Sequence, residues 1–201
     1  MGMRSGRGPT RAYGGNSVRL NAVALLAEEL VEEWLNRQGY FTIRGIKLGV
    51  QEIDLLAIRP KGKTLECRQL EVQASVRPVS YITRVPIAVQ RKTGRAAGSA
   101  KLRHDAELRQ GVCEWVKKKF DHPAKRRLRE HLAPGPWSRE LVVHVVKHER
   151  ELELIREAGV TVRRLADVVA QLKKADLKLD GAAGAPLVDL VAIAMAERVN
   201  V

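Results

Sequence analysis

The chain is expected to fold as an α/β domain, a mixed sheet flanked by helices, and three observations predict this. Segments of helical periodicity alternate with short strand-like runs. One run, Ile53-Asp54-Leu55-Leu56-Ala57-Ile58, is apolar at nearly every position, which marks a strand covered on both faces. The stretch from Glu140 to Lys174 reads strand, helix, strand, helix, the order that produces parallel strand pairs.

The elements follow in order. Residues 1–17 hold Arg4, Arg7 and Arg11 with many glycines and no acid. They read as a flexible basic arm, either a tail that follows phosphates or a segment without a role. A helix capped by Ser17 or Asn21 runs to about Gln38, with Val23, Leu26, Ala27, Leu30, Val31, Trp34 and Leu35 on one stripe. Gly39 stands where a helix stop belongs. Strands are expected at 40–43, 52–58 and 65–74, with turns at 45–49 and an extended turn at 60–63. Ala100 to Phe120 reads as one amphipathic helix with its stripe on Leu102, Ala106, Val112, Cys113, Val116 and Phe120. A basic helix starts at Pro123 and ends before Pro134. A strand follows over 140–147, a helix over 149–158 stopped by Gly159, a short strand over 160–164, and a helix over 165–174. The domain is thus placed at 18–175, a linker at 176–186 and an apolar C-terminal helix at 187–201.

Composition narrows the function. The 201 residues are 45% apolar, enough for one medium core. Lys and Arg number 36 against 23 Asp and Glu, a net charge of +13, with an isoelectric point near 10.2. That excess points to a polyanion, most often nucleic acid and less often an anionic membrane surface. Between Arg84 and Arg129 there are fourteen bases and four acids, so this segment carries +10 of the total. Its candidate phosphate contacts are Arg91, Lys92, Arg95, Lys101, Lys117, Lys118, Lys125, Arg126 and Arg127. Aromatics are only 4%, which favours contact to the phosphate backbone over base stacking. No apolar run approaches the roughly 18 residues of a membrane span. The first fifteen residues lack the apolar stretch of a secretory signal. Two cysteines make neither a disulfide framework nor a four-cysteine zinc site, so a reducing cytoplasm is expected.

The chemistry is expected where acids interrupt apolar strands. Asp54 lies inside the most apolar strand, and a carboxylate there is costly unless it is paired, hydrogen-bonded or bound to a metal. In the next strand, alternation sends Leu70, Val72 and Ala74 to one face and Gln69, Glu71 and Gln73 to the other. Glu28 falls at the margin of the first helix's apolar stripe and reaches toward the sheet edge, while Glu32 is expected to face solvent. Glu28, Asp54 and Glu71 together supply hard oxygen ligands of the kind that suit Mg²⁺ or Mn²⁺. The histidines form no ligand cluster, and Trp34, Trp115 and Trp137 read as core or interface anchors.

These residues resemble the PD-(D/E)xK nuclease superfamily, the restriction-endonuclease-like fold. The nearest resemblance is to archaeal Holliday-junction resolvases and related small bacterial endonuclease-like proteins. It covers Ala27 to Ser75, about a quarter of the chain. Glu28 lies eleven residues before Gly39, Asp54 matches the strand aspartate, and Glu71-Val72-Gln73 stands at the Glu-x-Lys position. The resemblance implies a metal held by Asp54, Glu71 and the Val72 carbonyl, with Glu28 assisting. Gln73 departs from it, because the family usually has a lysine there that orients the attacking water. Glutamine offers hydrogen bonds but no charge, and Lys92 or Arg77 are the loop cations that would replace it. The resemblance therefore implies a Mg²⁺-dependent endonuclease on duplex or branched DNA, leaving 5′-phosphate and 3′-hydroxyl ends. The alternative is a weak or inactive module of the same fold that binds DNA or RNA through its basic helices. The family commonly works as two copies, and the C-terminal helix is the surface expected to carry a homodimer.

Overall fold

In the computed structural model, residues 15–75 and 78–174 are described, with side chains described from 23 to 172. They form an α/β fold whose mixed five-stranded sheet has helices on both faces. The elements are α1 (Gly15–Asn36), β1 (Phe41–Leu48), β2 (Gln51–Lys61), β3 (Thr64–Gln73), α2 (Ile87–Thr93), α3 (Asp105–Lys119), α4 (Pro123–Leu132), β4 (Trp137–Val143), α5 (Glu149–Glu157), β5 (Thr161–Arg164) and α6 (Leu165–Lys174). The sheet order is β1-β2-β3-β4-β5. The first three strands are antiparallel, and β3, β4 and β5 run parallel.

Strand alternation divides the core in two. Leu55, Ala57, Leu70 and Val142 face α1 and α6, where they meet Leu30, Val31, Trp34, Leu35, Val168 and Leu172. Leu141 and Val143 face the other way, onto Leu108, Val112, Val116 and Phe120 of the α3 region and Leu152, Leu154 and Ile155 of α5. Asp54, Gln69 and Glu71 belong to this second face by the same alternation. Trp34 is a core anchor as expected, its indole N–H donating to Gln171 Oε1 at 2.8 Å.

Several boundaries differ from the sequence reading. β1 does not stop at Gly45 but passes through it at φ +65° and continues to Leu48. The β1–β2 ladder keeps one register but lacks one bridge here: Arg44 pairs with Leu55 and Ile46 with Ile53, while Gly45 and Asp54 stand opposite each other unpaired. The β2–β3 turn is tight, with Lys61 paired to Thr64 and Gly62 at φ +61°. The expected helix over 100–120 starts only at Asp105, because Asp105 and Glu107 suit a helix N-terminus and Arg103 is held in the loop by Thr83 O. The buried stripe accordingly runs through Leu108, Val112, Val116 and Phe120, whereas Leu102 is 75% exposed and Cys113 points outward. Helix α2 was not anticipated. β4 begins at Trp137 and ends at Val143, earlier than expected, since His144 N–H turns to Gln73 O and only an isolated bridge joins Val79 to Val146. Helix α1 begins at Gly15, inside the expected arm. The rest of that arm, the linker at 176–186 and the C-terminal helix at 187–201 lie outside the described residues.

The loop between β3 and α2 is fixed by a buried acid. Glu151 of α5 is fully buried and accepts from Ile82 N–H (2.7 Å), Thr83 N–H (3.0 Å) and Thr83 Oγ1 (2.6 Å). Removing it strands three donors, the two on Thr83 buried. Glu151→Ala is expected to lower stability by about 3 kcal/mol in chemical denaturation. A loss under about 1 kcal/mol would show that the carboxylate does not hold this loop.

Candidate active site

The site is built where β3 meets the corner between α3 and α4. Gln69 and Glu71 point to this corner because they alternate with Leu70 and Val72, which pack toward α1. The C-terminal end of α3 leaves carbonyls without helical partners, and side-chain donors from α4 and β3 satisfy them. Lys125 Nζ donates to Lys119 O at 2.9 Å, Arg129 donates to Phe120 O at 2.8 Å, and Gln69 Nε2 donates to Lys119 O at 2.7 Å. Arg129 also donates to Gln69 Oε1. This network clamps the corner onto β3 and brings two ammonium groups to Glu71. Lys119 Nζ meets Glu71 Oε2, and Lys125 Nζ lies 3.4 Å from Oε1.

Asp54 stands beside this pair. It is half-buried, and its Oδ2 accepts the Val72 N–H at 2.8 Å. That amide lies just past the last β2–β3 ladder pair, Leu55 with Leu70, so the carboxylate takes the place of a strand partner. Burial and then the Asp54 charge push the Glu71 carboxyl up to about 7, against the opposing pull of Lys119 and Lys125. Glu28 is likewise pushed up to about 7, first by burial, then by Asp54, with Arg44 opposing and Glu52 and Glu71 adding. The sequence-predicted acids therefore share one electrostatic environment. They are not gathered into a tight cage: among the described residues no group of three or more His, Cys, Asp and Glu is close enough to hold an ion alone. Asp54 and Glu71, with the Val72 carbonyl, are still a donor set of hard oxygens. That set suits a small divalent cation which keeps several waters.

The other expected residues sort differently. Gln73 is exposed at the end of β3, and its backbone carbonyl accepts from His144 N–H. Glu32 does not face open solvent as expected. It pairs with Arg44 at 3.1 Å and accepts from Thr42 Oγ1, because α1 lies over β1. Lys125 is not a surface phosphate contact. It is 1% exposed beneath Glu71. Arg95 is committed to Glu107 at 2.8 Å and to the Lys101 carbonyl. Arg91, Lys92, Lys101, Lys117, Lys118, Arg126 and Arg127 are exposed and make no ion pair among the described residues. Lys117 and Lys118 precede Lys119, and Arg126 and Arg127 follow Lys125, so both helices that bring an ammonium to Glu71 also carry exposed cations without an ion pair among the described residues. Lys92 sits on α2, and Arg77 lies outside the described residues.

Sequence reasoning missed Lys119. It sits three residues after Val116 and seven after Val112, a spacing that places it on the flank of the buried stripe. That spacing was the available signal.

No family model matches the chain, and no curated protein does. Among solved structures, one described as a protein of unknown function, AF1548, is similar at a TM-score of 0.41 and 14% identity. The likeness spans 79% of this chain and 73% of that one, and is too distant to bear on function.

Raised carboxyls have a stability signature. The ordinary value is 4.5, so between 4.5 and about 7 the folded chain holds protons at Glu28 and Glu71 that the unfolded chain releases. Stability contributed by these groups therefore falls as pH rises through that window and levels off above it. Glu66, held down to about 2 despite the opposing cost of burial by its bonds to Tyr40, Arg68 and Arg59, acts in the opposite sense and only below 4.5. Urea midpoints between pH 5 and 7.5 should decline less steeply in Glu71→Gln than in the parent. Identical slopes would show that Glu71 titrates as it does in water.

Proposed function

We propose that the chain is a divalent-metal-dependent nuclease that hydrolyses DNA phosphodiesters, an endonuclease of the PD-(D/E)xK type. The observation that carries this reading is the Asp54–Glu71 acid pair set into a corner of free and paired cations. Hydrolysis of a polyanion requires both. Acids hold the cation, and surrounding bases hold the phosphate backbone that the acids alone would repel.

Asp54, Glu71 and the Val72 carbonyl would hold Mg²⁺ or Mn²⁺. When bound, such an ion lowers the pKa of water and offsets charge building on the phosphate. The protein's own residues do the rest. Asp54 is oriented by the Val72 amide and Glu71 by two ammonium groups, so neither carboxylate has to reorganise when substrate arrives. Lys117, Lys118, Arg126 and Arg127 fix the strand on either side. In the reaction a water oxygen bonds to phosphorus, the bond from phosphorus to the 3′ oxygen breaks, the water proton leaves to solvent, and the departing oxygen takes up a proton. Glu28 stands close enough to feel both acids and assists from the sheet edge. Cys67 and Cys113 are free thiols, in keeping with a cytoplasmic location. Among the described residues no helix is long and apolar enough to cross a membrane.

A second reading has its own observation. Both Glu71 oxygens face lysines and Gln73 brings no charge, as in a site that binds nucleic acid without cutting it. Incubation with supercoiled, linear and branched DNA decides between them. The nuclease reading expects cutting with Mg²⁺ or Mn²⁺, none with chelator, and a loss of at least about 100-fold in Asp54→Ala and Glu71→Ala. Tight binding with no cutting of DNA or RNA under any condition would establish the second reading instead.

Either reading places the backbone against α3 and α4. In Lys117→Ala/Lys118→Ala/Arg126→Ala/Arg127→Ala, the slope of log affinity against log salt should flatten by about 0.9 for each phosphate that is no longer neutralised. An unchanged slope in fluorescence anisotropy would move the binding surface elsewhere.

A further inference from the structure

Two lysines touch Glu71, and their surroundings differ. The Lys125 side chain is 1% exposed, so nothing approaching from solvent can reach its ammonium. Its two partners, Glu71 Oε1 and the Lys119 carbonyl, occupy it from inside the corner. The Lys119 side chain is 31% exposed and leaves the last turn of α3 beside Lys117 and Lys118, both on the surface. Its ammonium meets the one carboxylate oxygen that Lys125 does not. No other cation among the described residues is in contact with Glu71 and open to solvent. Gln73, exposed at the strand end, provides no charge there.

We propose, resting on the nuclease reading, that the two lysines divide the work of the site. Lys119 is the ammonium that meets the substrate, placed to donate to the attacking water or a phosphate oxygen. Lys125 is a positioning residue, the buried counter-charge that holds Glu71 and the end of α3 together. An ammonium is a compact charge with three movable donors, so Lys119 can leave Glu71 for a phosphate oxygen without disturbing the backbone. Lys125 has no such freedom, because its carbonyl contact is what seats Lys119.

The test measures three quantities on the full chain: single-turnover cleavage of labelled duplex DNA at saturating Mn²⁺, Mn²⁺ affinity by titration calorimetry without DNA, and the thermal midpoint. Lys119→Met should lower cleavage by about 100-fold. Its Mn²⁺ affinity should be equal to or tighter than the parent's, since an ammonium no longer contests Glu71, and its midpoint should be near the parent's. Lys119→Arg, which keeps the charge, should retain cleavage within about tenfold of the parent. Lys125→Met should show the structural pattern, with midpoint, Mn²⁺ affinity and cleavage falling together. The assignment is overturned if Lys119→Met cleaves like the parent, if it shows the Lys125→Met pattern, or if Lys119→Arg is as inactive as Lys119→Met. A parent that cuts no nucleic acid removes the nuclease reading itself, and the lysine assignment with it.

Discussion

The structure around the acid pair depends on one constraint: Glu71 must carry its carboxylate where water hardly reaches. It is 2% exposed, with a second acid beside it. Left alone, such a group would take up a proton or open the fold. The corner between α3 and α4 exists in its observed form because it answers that demand. Lys125 and Arg129 are buried on a short helix otherwise made of surface residues, and the carbonyls they bind are those that α3 leaves free at its end. One network thus satisfies a helix terminus, a buried acid and the side-chain amide of Gln69. Networks of this kind add little net stability over an apolar core of equal volume.

Asp54 solves the companion problem differently. Among the described residues it has no ammonium of its own, and it accepts a backbone amide that the ladder leaves unpaired. One acid is therefore held by charge and the other by a strand. The first arrangement responds to removal of a lysine, the second to any shift of β3 against β2.

Much of the sheet was legible in the sequence because its signals are local. Apolar continuity marked β2, alternation put Gln69 and Glu71 opposite Leu70 and Val72, and glycines at 39 and 159 ended α1 and α5. Asp54 and Glu71 stood out because acids are anomalous in such strands. The lysines did not. Lys125 and Lys119 lie about fifty residues from Glu71, inside runs of like charge, and only docking of the corner onto β3 separates them from their solvated neighbours. The same cause turned Lys125 from an expected phosphate contact into a structural one, whereas Arg95 is held by Glu107 and the Lys101 carbonyl at the other end of α3. Glu32 was misplaced because a helical wheel shows an apolar stripe but not the strand that passes beneath its margin. The late start of α3 reflects Arg103, whose loop contacts outweigh the helical pattern of the residues around it.

Gly45, at φ +65°, interrupts the pairing of the outer strand at the level of Asp54, and the ladder resumes at Ile46 in the same register. Among the described residues β1 is a free border of the sheet, with Phe41 77% exposed and Ile43 44% exposed. An edge strand of eight residues with exposed apolar side chains is the kind of template on which a stray chain can add itself. The left-handed backbone at Gly45 breaks its regular extension into runs of four and three residues, each a short template for a foreign strand. That break, which glycine alone takes up without strain, thus blunts the edge against fibrous growth.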